Sequence, residues 1–354
     1  MAERERVDGA PSGERREATY AAAGVDLAAA DAALAAIREA VASTYTPNVL
    51  RGLGAFGGLF ALPGDVHEPV LVASTDGVGT KTRLALALGR ARDIGADLVN
   101  HCINDVLVQG ARPLFFLDYV ASARLEPAVV AEVVGGVAAA CREAGVALLG
   151  GETAEMPGVY QPGEIDVVGT IVGIVGRADI VDGRDVRAGD ALLGLASGGL
   201  QTNGFSLARA VTAGHEAEPL DPGDPAGPTL GEALLAPHRS FLSAVRPLLA
   251  AGLVQALAHV TGGGIPGNLP RALPEGMGAE VVDRSWPEPP VFERLRRLGG
   301  IAEDEMRSAF NLGIGMIAVV RPDQVAAARA ACPEALHEIG RVVPGRGVRF
   351  VAEG

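Results

Sequence analysis

Cysteines, aromatic residues and long apolar runs are all scarce in this chain of 354 residues. The three cysteines, Cys102, Cys141 and Cys332, form no C-x-x-C pair, which fits a reducing cytosol and provides no zinc framework. Aromatic residues make up 4% of the chain, which argues against nucleic-acid binding by base stacking. A transmembrane helix needs ~18 consecutive apolar residues, and no such run occurs. The first residues also lack the apolar core of a signal peptide, so we expect a cytoplasmic protein.

The charge balance narrows the possible partners further. The formal net charge of −13 makes a general affinity for nucleic acid or for an anionic membrane unfavourable. An anionic substrate would therefore have to be held by local donors and by a metal ion. The hydrophobic fraction of 48% is sufficient for a large core, and 48 glycines indicate many tight turns and ligand-approaching loops.

The length favours two domains, and the composition suggests where they meet. Residues 1–18 are small and charged, and we interpret them as a disordered tail. A polar, charged stretch from Gly176 to Gly189 is the expected domain boundary. We therefore predict a first domain over residues 19–176 and a second over residues 177–354. Strands and helices alternate through both, which indicates an α/β protein.

One stretch, from Val70 to Arg83, has a pattern suited to phosphate binding. An apolar strand ends in a glycine loop, and Lys81 and a helix follow. Glycines expose backbone N–H groups to an anion, and the lysine adds a positive charge. A carboxylate beside a phosphate requires a divalent cation between them, so Asp76 suggests nucleotide phosphate with Mg²⁺. The loop residues are Thr75, Asp76, Gly77, Gly79 and Thr80.

The same stretch has a simpler interpretation, since it is not a Walker loop. Thr80 stands where a glycine should precede the lysine. It could be a glycine-rich turn between a strand and a helix, with Lys81 exposed to solvent.

Two further acids follow in the first domain. Asp105 comes after Asn104 at the start of a predicted helix, where it could be a helix cap or a second metal ligand. Glu152 follows a strand that ends in Gly150 and Gly151. If the strands are neighbours, Asp76, Asp105 and Glu152 would converge on one Mg²⁺ ion.

Two glycine loops in the second domain are candidate anion sites. The loop Ser197–Gly204 lies between a strand and a helix and offers neutral donors, or it is simply a tight turn. The triplet Gly262–Gly264 precedes a short helix, with Arg271 nearby. We interpret His259 as a core or capping residue. Residues 231–251 are predicted to form one helix, and residues 338–351 a hairpin.

The motifs, taken in order, resemble a known enzyme family. They look like phosphoribosylformylglycinamidine cyclo-ligase, the aminoimidazole ribonucleotide synthetase of purine biosynthesis. The resemblance covers residues 20–350, and two departures stand out: Gln201-Thr202 replaces a common His-Ser, and the Lys-Asp that often follows Tyr20 is missing. A glutamine at position 201 can form hydrogen bonds but cannot shuttle a proton. The motifs are Thr75 to Lys81, Asn104-Asp105 with Gln109 to Ala111, Phe115 to Tyr119, Gly150 to Gly158, and Thr261 to Gly264.

The resemblance implies a fold, a reaction and a set of site residues. The fold would pair an N-terminal mixed-sheet dimerisation domain with a C-terminal α/β domain, in a homodimer. The reaction would be ATP-dependent cyclisation of formylglycinamidine ribonucleotide to aminoimidazole ribonucleotide. Asp76, Asp105 and Glu152 would bind Mg²⁺, and catalysis would rest on Lys81, Asp76 and Asp105. The expected nucleotide and substrate contacts are Thr75, Gly77, Gly79, Thr80, Lys81, Asn104, Thr153, Ser197, Asn203, Gly262 and Gly263.

Two alternatives remain open from the sequence. One is another ATP-using enzyme of the same superfamily, such as thiamine-monophosphate kinase, selenophosphate synthetase or the hydrogenase-maturation dehydratase. The absence of a cysteine before Cys102 counts against selenophosphate synthetase. The other is a nucleotide-binding module without turnover, which would lack one or more of the three metal carboxylates.

Overall fold

The computed structural model describes residues 27–352. The predicted tail over residues 1–18 and the start of the first domain at residue 19 lie outside this range. None of the helices within it is long and apolar enough to cross a membrane.

The first half of the described chain forms a hairpin and a four-stranded sheet with helices on one face. Its elements are α1 (Leu27–Ala42), β1 (Val49–Arg51), β2 (Leu59–Phe60), β3 (Pro69–Gly77), α2 (Lys81–Ala87), α3 (Ala91–Leu107), β4 (Arg112–Ser122), α4 (Pro127–Ala144), β5 (Ala147–Glu155) and β6 (Ile165–Gly176). The strand order is β3-β6-β4-β5, in which only the β4–β5 pair is parallel. The sheet is therefore mixed, as predicted.

The two faces of this sheet differ because side chains alternate along each strand. In β3, Val70, Val72 and Ser74 are partly buried toward the helices, whereas the intervening side chains are exposed. Leu71 is 53% exposed and Leu117 on β4 is 37% exposed. One face of the sheet is thus packed against helices, and the other is an uncovered surface with large apolar side chains.

The second half forms a six-stranded mixed sheet. Its elements are β7 (Ala191–Ala196), α5 (Phe205–Thr212), α6 (Leu230–Leu234), α7 (Leu242–Ala250), β8 (Val254–His259), α8 (Gly264–Asn268), β9 (Met277–Val282), α9 (Pro290–Gly299), α10 (Glu303–Ala309), β10 (Ile314–Val320), α11 (Val325–Ala331), β11 (His337–Pro344) and β12 (Val348–Val351). The strand order is β12-β9-β11-β7-β10-β8. The last two strands do not form the predicted hairpin with each other, because both pair with β9.

A large apolar core joins the two halves. It runs from residues of α3 and α4, such as Leu98 and Val137, to Leu193 and Leu195 on one face of the second sheet. The other face of that sheet, which includes Leu192, packs in a smaller separate cluster. Burial at the junction therefore fixes the two halves against each other, and the cleft described below opens beside that junction.

The predicted helix over residues 231–251 is interrupted in the structure. Residues 236–241 form an irregular segment between α6 and α7. Pro237 lacks a backbone N–H and disfavours a continuous helix. The backbone groups of this segment instead form hydrogen bonds with side chains of the first half.

Asp118 on β4 supports a prediction about stability and pH. Burial raises the pKa of its carboxyl to about 7, whereas an unfolded aspartate titrates near ~4. The folded state therefore favours the protonated form, and stability should fall as the pH rises from about 4 through about 7. We expect Asp118→Asn to be more stable than the wild type at pH 8, by about 2 kcal/mol after allowing for partial exposure.

The measurement is urea denaturation of both proteins at pH 5 and pH 8. Asp323→Asn is the control, because Asp323 is exposed on the surface. Equal pH dependence in the Asp118 variant and the wild type would contradict the assignment.

Candidate active site

A cleft of about 600 Å³ lies where the edge strand β3 of the first sheet meets the edge strand β8 of the second. Its walls also include α3 and the connection that follows β6. Three carboxylates and one guanidinium line it. Asp182 is paired with Arg184 outside the lining, and the charge of the other groups still favours a cation. The polar side chains that line it are Ser74, Thr75, Asp76, His101, Asp105, Gln109, Asp182, His259, Thr261, Asn268 and Arg271.

Asp76 lies in the cleft, as predicted, at the end of β3. Its Oδ2 atom is 2.8 Å from Nε2 of His101 on α3, and its Oδ1 accepts a hydrogen bond from the N–H of Gly77. The side chain of Asp76 is 42% exposed, whereas that of His101 is 4% exposed. A buried imidazole thus holds a carboxylate that remains open to ligand.

Asp105 lies in the same cleft with an equivalent partner. Its Oδ1 atom is 2.9 Å from Nδ1 of His259, and its Oδ2 accepts a hydrogen bond from the Ser74 hydroxyl at 3.0 Å. Asp105 does not begin a helix, because it lies near the C-terminal end of α3. Asp76 and Asp105 thus line one cleft, the first from a strand and the second from a helix.

Electrostatics keep both carboxylates ionised. Burial opposes ionisation of Asp76, but its hydrogen bond and charge interaction with His101 outweigh this, and the pKa of Asp76 is lowered. The same balance, with His259 as the main partner, lowers the pKa of Asp105. Ionised carboxylates are the ligands that Mg²⁺ prefers, so this pair fits a divalent cation.

The sequence did not single out His101 and His238, and it assigned His259 to the core. The rings of these three histidines lie 4.9 to 5.3 Å apart, and Thr202 links two of them. Burial lowers the pKa of His238 well below its usual value. The three rings come from α3, from segment 236–241 and from β8. Their only local signal in the sequence is the position of His101, four residues before Asp105 on one helix face.

Lys81 is not in the cleft, which contradicts its predicted role at phosphates. Its Nζ atom is 2.6 Å from Oδ2 of Asp97, and both side chains are 1% exposed. The ammonium also donates a hydrogen bond to the carbonyl of Ala236. The lysine is therefore committed to a buried ion pair.

The side chain of Asn104 forms hydrogen bonds within the protein instead of the predicted ligand contact. Its amide donates to the carbonyl of Arg239, and its Oδ1 accepts from the N–H of Phe241. On the same helix, Asn100 donates to the carbonyl of His238, and Asp97 accepts from the His238 N–H. The polar side of α3 thus fixes segment 236–241 and places His238 beside the cleft.

Glu152 does not join Asp76 and Asp105 within the chain. It lies on β5, and two strands separate β5 from β3. Three strand spacings correspond to roughly 14 Å. Glu152 and Thr153 instead line a smaller cavity beside α1, together with Asp118. The expectation of one cation bound by all three acids failed because β3 and β5 occupy opposite edges of the sheet.

The remaining predicted contacts lie in three loops around the cleft. Thr75 is at its rim and shares a hydrogen bond with Thr170, while Gly77, Gly79 and Thr80 form the turn between β3 and α2. Ser197 is buried, and its hydroxyl donates within its own loop instead of facing the cleft.

Two loops of the second half of the chain lie against each other. Gly262 lies next to the side-chain oxygen of Asn203, so the loops 197–204 and 261–264 touch each other. Thr261 and Arg271 face the cleft directly, whereas Gly262 and Gly263 form the backbone behind them. The two amide atoms of Gln201 are buried and have no hydrogen-bond partner among the described residues.

The comparisons with known proteins place the chain in a family. Residues 62–175 match the N-terminal domain of AIR synthase related proteins, and residues 187–353 match the C-terminal domain. A phosphoribosylformylglycinamidine cyclo-ligase from Myxococcus xanthus is 51% identical over 93% of this chain and 97% of its own. One from Gloeobacter violaceus is 52% identical over 94% of this chain and 99% of its own. The chain belongs to the phosphoribosylformylglycinamidine cyclo-ligase family.

Solved structures show that the cyclo-ligase family shares its fold with other enzymes. A thiamine-monophosphate kinase from Stenotrophomonas maltophilia has a TM-score of 0.66 at 21% identity, over 89% of this chain and 95% of its own. The hydrogenase maturation protein HypE in complex with ATP has a TM-score of 0.65 at 20% identity, over 89% of this chain and 90% of its own. At this identity the likeness shows the two-domain architecture alone. The choice between a cyclo-ligase and the other enzymes that share this fold therefore rests on the sequence relatives.

The position of Lys81 predicts a stability defect instead of a binding defect. In Lys81→Met, the carboxylate of Asp97 would remain buried without its charge partner, which costs about 3–5 kcal/mol of unfolding free energy. The double variant Lys81→Met/Asp97→Asn should recover part of this loss, because asparagine is neutral and still accepts from the His238 N–H. Urea denaturation measures both effects. A Lys81→Met protein with wild-type stability and weak ATP binding would instead support the phosphate role.

Proposed function

We propose that this cleft catalyses the ATP-dependent cyclisation of formylglycinamidine ribonucleotide to aminoimidazole ribonucleotide, with release of ADP and phosphate, in purine biosynthesis. The observation that carries this proposal is the identity of about half of all residues, over nearly the whole chain, with relatives that have this name. The cleft adds two ionised carboxylates, two buried imidazoles and one guanidinium on a scaffold shared by both halves of the chain.

The reaction requires two displacements in one site. In the first, the formyl oxygen attacks the γ-phosphate of ATP; an O–P bond forms, ADP leaves, and the amide nitrogen loses its proton. In the second, an amidine nitrogen attacks the activated formyl carbon; a C–N bond forms, phosphate leaves, and that nitrogen loses a proton. Phosphoryl transfer of this kind depends on positioning and on neutralising charge.

Asp76 and Asp105 supply that neutralisation by holding Mg²⁺. When bound, the ion offsets the negative charge of the phosphates. His101 and His259 keep the two carboxylates in position through hydrogen bonds of 2.8 and 2.9 Å. The prepared geometry avoids reorganising the site during the reaction.

The loops of the second half are suited to the substrate. Arg271 provides a cationic group in the cleft wall, where it bonds to Asn268. A guanidinium can contact a phosphate through two parallel N–H bonds. We assign the ribose phosphate to Arg271 and to the neighbouring loop 261–264, with Asn203 at the adjoining loop. The nucleotide phosphates are assigned to the Asp76 side, beside Gly77, Gly79 and Thr80.

The uncovered face of the first sheet is the proposed surface for a homodimer. It presents Leu71 and Leu117, which are 53% and 37% exposed. Exposed apolar side chains of this size on a flat sheet are typical of an interface. Two copies packed sheet to sheet would bury this face in both.

Asparagine at either metal carboxylate tests the proposed function. Asp76→Asn and Asp105→Asn each remove a negative charge from the cleft with little change in shape. We expect ATP turnover with formylglycinamidine ribonucleotide to fall by about 100-fold or more. Release of ADP and phosphate gives the rate, and thermal unfolding checks the fold. Asp323→Asn, at an exposed residue that does not line the cleft, should keep wild-type turnover.

The same assay separates the candidate activities. Turnover with thiamine monophosphate but not with formylglycinamidine ribonucleotide would overturn the proposed reaction. Near-normal turnover in Asp76→Asn would refute the role of that carboxylate while leaving the reaction in place.

A charged side chain on the open sheet face tests the dimer. We expect Leu71→Glu to convert a dimer to a monomer, because two buried carboxylates at a two-fold interface would lack partners. Light scattering after size-exclusion chromatography measures the mass. Leu88→Glu is the matched control, since Leu88 is also exposed, at 43%, but lies at the end of α2. A monomeric wild type would contradict the proposal.

A further inference from the structure

His101, His238 and His259 form a cluster of three imidazoles beside the cleft. All three are buried, and they come from three separate elements. Two of them, together with Asp105, place a possible ligand atom each within 4.8 Å of one another. In the cyclisation proposed above, His101 and His259 hold the carboxylates and only the carboxylates bind Mg²⁺. The two imidazoles and Asp105 are a different ligand set at the same place.

The inner hydrogen bonds of the cluster favour one proton arrangement. Nδ1 of His101 lies 2.7 Å from the hydroxyl oxygen of Thr202, and Nδ1 of His238 lies 3.1 Å from the same oxygen. Nε2 of His238 lies 3.3 Å from Nε2 of His259. If the two Nδ1 atoms donate to Thr202, the neutral His238 ring has a free acceptor at Nε2. His259 can then donate to it from its own Nε2.

This arrangement leaves lone pairs on the two nitrogens that face the cleft. Nε2 of His101 would lie 2.8 Å from Oδ2 of Asp76, and Nδ1 of His259 would lie 2.9 Å from Oδ1 of Asp105. Each contact would then join two acceptors. Only a proton or another cation between them makes such a contact favourable.

The opposite arrangement satisfies the carboxylates but not the cluster. If His101 and His259 donate to Asp76 and Asp105, and neutral His238 carries its proton on Nδ1, the Nε2 atoms of His259 and His238 face each other as two acceptors. The Asn104 amide, 3.2 Å from Nε2 of His238, can satisfy that ring. Nε2 of His259 is then left without a donor from these groups, which is unfavourable for a buried nitrogen. If His238 carries its proton on Nε2 instead, the single proton of the Thr202 hydroxyl would have to serve the Nδ1 atoms of both His101 and His238. A cation in the cleft removes the conflict in either case.

We propose that His101, His259 and Asp105 form a binding site for a divalent transition-metal ion of the Zn²⁺, Co²⁺ and Mn²⁺ class, with Asp76 at its edge. Imidazole nitrogen suits these ions, whereas Mg²⁺ prefers oxygen ligands alone. Asp182 is paired with Arg184, and the remaining carboxylates, Asp76 and Asp105, against the guanidinium of Arg271 also favour a cation. The site therefore selects for a softer ion than the carboxylates alone would bind.

His238 is a positioning residue in this site. Its Nδ1 atom shares the Thr202 hydroxyl with His101, and its Nε2 atom contacts Nε2 of His259. These contacts fix the tautomers of both ligand rings. Metal-bound histidines generally donate their second N–H to such a partner, and loss of the partner typically weakens metal binding by about 10–100-fold. The main-chain bonds of His238 to Asp97 and Asn100 hold it in place independently of its ring.

The test is metal binding by the full-length protein without ATP or substrate. We expect isothermal titration with Zn²⁺ in excess Mg²⁺ to show one site per chain, and Co²⁺ to give the absorption spectrum of mixed nitrogen and oxygen ligation. His101→Gln and His259→Gln should each abolish this site. His238→Gln should weaken it by about 10–100-fold. His215→Gln, at a histidine whose side chain is 42% exposed, should bind as the wild type does.

Spectra of the wild type keep the test decisive if a variant fails to fold. In protein labelled with ¹⁵N-histidine, Zn²⁺ should shift the signals of Nε2 in His101 and Nδ1 in His259 and should move their protons to the inner nitrogens. Absence of Zn²⁺ binding in excess Mg²⁺, or binding that leaves these two rings unchanged, would overturn the proposal. Because no nucleotide or turnover is involved, either result is independent of the cyclisation activity.

Discussion

The polar side of helix α3 is the constraint on which the site depends. Asp97, Asn100 and Asn104 point from this helix toward the second half of the chain and hold the backbone of segment 236–241. Lys81 completes the contact from α2. A buried polar group without a hydrogen-bond partner costs free energy, so these bonds stabilise one another. The same helix carries His101 and Asp105. The contacts that hold the two halves of the chain together therefore also position these two side chains in the cleft.

The edge strands of the two sheets form walls of the cleft, and helix α3 contributes functional side chains to it. Strands β3 and β8 are both edge strands, so neither has a neighbour on the side that faces the cleft. Free edges are normally a liability, and here the opposed halves of the chain protect them. The cleft thus results from the way in which two mixed sheets meet, while the imidazoles that distinguish it come from α3, segment 236–241 and β8.

Some elements have start and stop signals that are local in the sequence. Helix α4 begins at Pro127 and ends before Gly145, whose φ of 70° suits a glycine, and both signals are readable from the sequence. The apolar run of β4 and the β-branched residues of β6 are likewise strand signals that can be read locally. Patterns that depend on one segment at a time are sufficient for such assignments.

The failures concern residues whose partners are distant in sequence. The burial of Lys81 depends on Asp97, which lies on the next helix, so a motif that ends at the lysine cannot reveal it. Glu152 was misplaced because strand order cannot be read from strand position along the chain. His238 was hidden inside a predicted helix, although Pro237 was a signal that the helix is broken. The pairing of His259 with Asp105 likewise joins residues more than a hundred positions apart.

The contacts of segment 236–241 also set a mechanical limit on the enzyme. A hinge rotation of one sheet against the other would have to break five hydrogen bonds between this segment and α2 or α3, of which two are buried and three are partly buried. Large rigid-body opening is therefore disfavoured, and ligand entry relies on the glycine loops at the rim. The binding pocket is accordingly pre-assembled before any ligand arrives.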